Sequence, residues 1–252
     1  MGRRRCRPRP PRMHPEEVLM RARPFFVTGI LGLGTVLMTL IMTAIGPRPA
    51  APLPAGFITP VLAYEFATTD ADVAALFAPV GQPAGETVRA AMDRVNRLDF
   101  LYIVFYGGFL TTFALVCARA TRQPVFLLAA ALAPLIMLAD VLENVQLLAI
   151  TARLGTTDIA VQLARLRWFT WLKWGGLALW FLLMRPYFLA RGGFGRAIAL
   201  ASLLPLVLGV VAFLWPGLAS ELFALAIGLL FILLTVYAWR YRPPAAVPAP
   251  AL

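Results

Sequence analysis

The chain has 252 residues, of which 60% are hydrophobic and 14% charged, with a mean hydropathy of +0.78. Soluble domains carry about 25% charged residues, so the composition excludes a soluble enzyme, a disordered chain and a disulfide scaffold. The net charge of +11 does not point to nucleic acid as a partner, because eight of the 23 basic residues sit in the first 23 positions.

Runs of about 20 apolar residues are what a bilayer core of ~30 Å asks of a helix. The chain reads as an all-α polytopic transmembrane helix bundle of about six spans. Residues 1–24 form a basic, Pro-rich cytoplasmic tail, expected to be disordered and to touch anionic lipid. The first span covers 25–46. Its apolar run exceeds the 7–15 residues of a signal-peptide core, so an uncleaved helix is expected.

Residues 47–98 follow as a small extracytoplasmic helical insert. A Pro/Ala/Gly linker leads to Thr69-Asp70-Ala71-Asp72, which resembles a capped helix start. Val73, Leu76, Phe77 and Val80 then form an apolar stripe. After a break at 79–85, Val88, Met92 and Val95 share one helix face, and Arg89, Asp93 and Arg97 make an i,i+4 charge ladder. This helix is expected to run straight into the second span. The two short helices read as a cap on the bundle.

The remaining spans cover about 100–118, 125–150, 168–184, 197–215 and 218–239, and 240–252 form a Pro/Ala-rich cytoplasmic tail. Cytoplasmic flanks carry the Lys/Arg excess. With both termini inside, fifteen arginines fall on cytoplasmic segments and seven outside, while Lys173 lies within a span. A multi-pass protein of a bacterial inner membrane with cytoplasmic termini is the expected arrangement.

Scarce residues exclude much chemistry. The only histidine, His14, lies in the tail, so no His-ligated intramembrane metal site can form and no metal or cofactor is expected. Serine occurs only at Ser202 and Ser220, without a base nearby in sequence. Cys6 and Cys117 have neither C-x-x-C nor zinc spacing. No catalytic residue is assigned.

Ionisable residues inside spans cost roughly 2.5–3.5 kcal/mol each near the centre, so they face the bundle interior and find partners. In the third span Asp140, Glu143 and Asn144 share one helix face. Asp99 opens the second span, with Tyr102 and Tyr106 at i+3 and i+7. The fourth span places Lys173 among four tryptophans. Glu143 lies ~10 Å below the outer end of its helix, and Lys173 ~8 Å below the same face. Asp140, Glu143, Asn144, Lys173 and Asp99 are therefore the candidate polar cluster, with Tyr64 and Glu65 as contributors from the outer segment. Carboxylates outnumber the ammonium. Either a protonated carboxyl, a cation, a proton or an arginine such as Arg97 or Arg153 balances the site.

Tyr64-Glu65-Phe66-Ala67, Leu98-Asp99-Phe100-Leu101 and Asp140-Val141-Leu142-Glu143-Asn144 resemble the recurring pattern of a family of uncharacterised bacterial multi-pass inner-membrane proteins. The resemblance spans roughly residues 57–185. It implies a membrane bundle with an acidic cluster near the outer leaflet, and it implies no activity.

Three functional readings follow. The first is a structural or interaction bundle whose buried cluster fixes helix register. The second is a proton- or cation-coupled transporter using Asp140 and Glu143, although no inverted repeat is evident. The third is an intramembrane enzyme using paired carboxylates as acid and base.

Overall fold

The computed structural model describes residues 24–49, 51–54, 56–77, 81–155 and 158–241. The basic tail and its lipid contact, Val80 of the apolar stripe and most of the Pro/Ala-rich tail lie outside these residues. Among the described residues all regular structure is helical, in nine helices: α1 (Phe26–Ile45), α2 (Pro60–Glu65), α3 (Asp70–Leu76), α4 (Pro83–Thr121), α5 (Val125–Thr151), α6 (Ala160–Leu189), α7 (Gly192–Ala201), α8 (Leu204–Leu214) and α9 (Leu218–Arg240). Among the described residues, five helical stretches are long and apolar enough to cross a membrane: α1, α4, α5, α7 with α8, and α9. The molecule is an all-α polytopic bundle.

Two spans differ from their expected form. The fourth lies within α6, which is 30 residues long but carries Arg165, Arg167, Lys173 and Arg185. It is therefore less apolar than the other five. The fifth is two helices, because the chain turns at Ser202 and Leu203. Pro205, which has no backbone N–H, sits in the first turn of α8, where none is needed. The Ser202 hydroxyl donates to the Ala199 carbonyl at 2.9 Å.

The second span is the distal part of the 39-residue α4, whose first turns pack into the cap through Val88 and Met92. Its charge ladder is only half formed. Arg97 pairs with Asp93 at 3.5 Å, but Arg89 pairs with Glu86 at 3.3 Å. Asp93 Oδ1 instead accepts from the Thr151 hydroxyl of α5 at 2.7 Å.

α5 is the central helix, antiparallel to both α4 and α6. From α4, Asp93 meets Thr151, Asp99 meets Asn144 and Tyr106 meets Asp140. From α6, Thr170 meets Glu143 and Lys173 meets Asp140. Glycines permit the close approach on both sides. A Cβ at Gly107 of α4 would collide with the Met137 side chain, and one at Gly176 of α6 would lie 2.7 Å from Ile136 Cγ1. α1 packs antiparallel on α4, where the Thr28 hydroxyl donates to the Thr112 hydroxyl at 3.1 Å.

The cap is built as the stripe implies. Val73, Leu76 and Phe77 are buried with Tyr64, Val88, Met92, Leu147 and Leu163. Thr69 and Asp72 form a capping box: Asp72 N–H donates to Thr69 Oγ1, and Thr69 N–H donates to Asp72 Oδ2 at 2.9 Å. Burial alone would raise the Asp72 carboxyl, but the N–H and hydroxyl groups of Thr68 and Thr69 outweigh it and hold the carboxyl below its usual range. Glu221 of α9 accepts from Ile58 N–H (2.9 Å), Thr59 N–H (2.7 Å) and the Thr59 hydroxyl (2.7 Å), which fastens the start of α2 to α9.

Candidate functional site

Three helices meet at Lys173 of α6: α2, α5 and α6 itself. Its Nζ lies 3.1 Å from Glu65 Oε2 at the end of α2, 3.4 Å from Asp140 Oδ1 and in contact with Glu143 Oε2, both on α5. The Lys173 side chain is 7% exposed, Glu143 0%, Asp140 4% and Glu65 13%. Among the described residues, Asp140 Oδ1 and Glu143 Oε2 accept no other hydrogen bond, so the ammonium is what satisfies them. This matters because an ionised group left alone in a medium of low dielectric is far more costly than a paired one.

The opposite carboxylate oxygens are also engaged. The Tyr106 hydroxyl donates to Asp140 Oδ2 at 2.6 Å, and the Thr170 hydroxyl approaches Glu143 Oε1 at 2.5 Å and the Glu65 carbonyl at 3.0 Å. Trp174 Nε1 donates to Glu65 Oε2 at 2.9 Å. Asn144 Nδ2 donates to Asp99 Oδ2 at 2.5 Å, placing this pair at the edge of the cluster.

Tyr64 is close by but does another task. Its hydroxyl donates to the Leu147 carbonyl of α5 at 2.6 Å, in a site where burial and then the Asp93 charge raise its pKa well above the ordinary tyrosine value. That hydroxyl stays protonated.

The structure thus brings together Asp140, Glu143 and Lys173, with Asn144 and Asp99 adjoining and Glu65 entering as a direct ion-pair partner. Arg97, one of the two arginines considered for charge balance, is not placed to supply it. Arg97 is taken by Asp93, with its side chain 68% exposed, and Arg153 Nη1 donates to the Ala149 carbonyl at 2.9 Å. Glu65 adds negative charge instead. Three residues escaped the sequence reading as cluster members: Tyr106, Thr170 and Trp174. Thr170 stands one turn before Lys173 on the same face, and that spacing was the available signal.

Toward the opposite end of the bundle the cluster is closed by aromatic rings. Phe109, Phe113, Trp180, Phe181 and Phe231 are buried. They touch in a chain, with centroids 5.8 Å apart for Phe109–Phe231, 5.7 Å for Phe181–Phe231 and 6.4 Å for Phe113–Trp180. Chemically, the arrangement can hold charge in fixed geometry. No group of three or more Asp, Glu, His or Cys among the described residues is arranged to hold a metal ion. No known protein family, curated protein or solved structure matches the chain.

Proposed function

We propose that the protein is a membrane-embedded structural or interaction bundle in which the Lys173 cluster locks the polar cap onto the spans, and that it is not a conduit for protons or ions. One observation carries this reading: a single buried ammonium pairs at once with the cap through Glu65 and with α5 through Asp140 and Glu143. The aromatic floor supports it, since a conduit needs polar groups or water to continue beyond the cluster.

The spans number six in this reading. Phe25 before α1 packs edge to face with Tyr241 after α9 (4.9 Å), and Trp239 Nε1 donates to the Gly29 carbonyl at 3.1 Å. The two ends of the described bundle therefore lie on one face, which requires an even number of crossings. The five apolar stretches supply five, and α6 supplies the sixth. The Arg distribution supports a cytoplasmic position for that face, with the cap outside.

The test uses purified protein in liposomes. Under an imposed pH gradient, wild-type vesicles should leak protons no faster than empty ones, and Glu143→Gln should change nothing. Lys173→Met should leave flux unchanged but expose the cap to added protease. Proton flux in the wild type that Glu143→Gln abolishes would overturn the structural reading in favour of proton-coupled transport.

A further inference from the structure

At the cap end, a cavity of about 560 Å³ opens between α3, α6 and α8, with Thr69, Asp70, Arg167, Trp168 and Phe213 among its lining. A second cavity of about 250 Å³ continues along α6 and α8, lined by Gly175, Ala178, Leu206, Gly209 and Phe223 among others. Trp171 and Phe213, packed edge to face at 5.0 Å, form the wall that both share. One end of this groove is charged and the other is apolar.

The charged end holds one residue of each sign. Among the described residues, neither Asp70 nor Arg167 has a hydrogen bond or ion pair from its side chain. Trp168, 73% exposed, stands beside Arg167 as an indole does at the level of lipid headgroups. The apolar end exists because α8 is short and begins at the Ser202–Leu203 turn, and because Gly175 has no side chain: a Cβ there would meet nothing within 4 Å. From Arg167 to Ala178 the groove follows eleven residues of α6, ~17 Å, or about one leaflet's share of a ~30 Å hydrocarbon core.

We infer that this groove is a binding site for a single zwitterionic phospholipid of the ethanolamine type. The lipid phosphate lies against Arg167, its ammonium against Asp70, and one acyl chain runs past Trp171 and Gly175. An anionic phospholipid would match Arg167 but set its charge beside Asp70 with no cation to offer. The inference rests on the membrane reading, which reporter fusions test separately.

The experiment is native mass spectrometry of the full chain, extracted in mild detergent and offered equal phosphatidylethanolamine and phosphatidylglycerol. Wild type should retain one phosphatidylethanolamine in preference by about fivefold, the equivalent of ~1 kcal/mol for one near-surface charge. Asp70→Asn, at an exposed position, should bring the two lipids to parity. Arg167→Gln should lower retention of both. Gly175→Leu should block the acyl path and lower retention of both by at least about fivefold, while the melting temperature measured without added lipid stays at the wild-type value. Parity of the two lipids in the wild type would overturn the inference, and so would equal retention in all three variants, the behaviour of annular lipid only.

Discussion

Removing Lys173 takes the ammonium from three carboxylates at once. Its ammonium serves Glu65, Asp140 and Glu143, and deleting one partner of a buried pair commonly costs about 3–5 kcal/mol, because the survivor stays charged in low dielectric. Lys173→Met should therefore lower the melting temperature in detergent. Glu143→Leu combined with Lys173→Met should recover part of that loss, since it removes a charge from the site together with its partner. Strictly additive losses would show that Glu143 and Lys173 do not interact. Thr170 offers a milder probe. Its hydroxyl touches Glu143 Oε1 and the Glu65 carbonyl, so Thr170→Val, nearly the same in shape, should cost about 1–3 kcal/mol. A Thr170→Val protein that melts with the wild type would mean that the other partners of Glu143 suffice. The lysine was legible in the sequence because an ammonium inside an apolar run has to find carboxylates, and the i, i+3 spacing of Asp140 and Glu143 placed two on one face. Glu65 as a direct partner was not deducible from spacing. It lies 108 positions from Lys173, and only the folding back of the cap brings it to α6.

At the scale of elements, the cap depends on short-range chemistry that pH can address. Asp72 accepts from Thr68 and Thr69 N–H groups at 3.0 and 2.9 Å, and its carboxyl is held below the usual range. A depressed folded-state pKa contributes stability that is present above the unfolded carboxylate value and is lost as pH falls through the folded one. Amide exchange over 70–76 should therefore accelerate as pH drops below the ordinary Asp range, beyond the intrinsic pH dependence of exchange. Thr69→Ala, which removes the other half of the box, should destabilise α3 by about 1 kcal/mol at neutral pH. An exchange rate in Asp72→Asn that equals the wild type at neutral pH and shows the same acid response would sink this account. Here the sequence was informative, because a capping box is local. The break between α7 and α8 was less so: Pro205 could stand inside a helix, as Pro134 does in α5, and which outcome prevails depends on packing against α6 and α9. The tie from Glu221 to the start of α2 had no sequence signal at all, being a contact between residues more than 160 positions apart.

For the whole molecule, the decisive quantity is which end of the bundle faces the cytoplasm. Geometry supplies the parity, since the start of α1 and the end of α9 meet through Phe25, Gly29, Trp239 and Tyr241. For the direction we propose the side richer in arginine, since fifteen arginines fall on the segments assigned to one side and seven on the other. The two arguments are independent, and α6 is where they are most exposed. Its basic residues and modest apolarity leave it outside the group of clear spans, yet it packs on α5 from Thr170 against Glu143, past Gly176 against Ile136, to Tyr187 against Phe126. If α6 crosses, fusions of a reporter after Arg122, Arg196 and Arg242 should all read cytoplasmic, and fusions near Gly81 and Thr157 should read external. If α6 lay on the surface instead, positions after Arg122 and Arg196 would report opposite sides. The sixth span would then fall, while the Lys173 cluster, buried between α5, α6 and the cap by the protein itself, would have to be placed at the membrane surface rather than inside it.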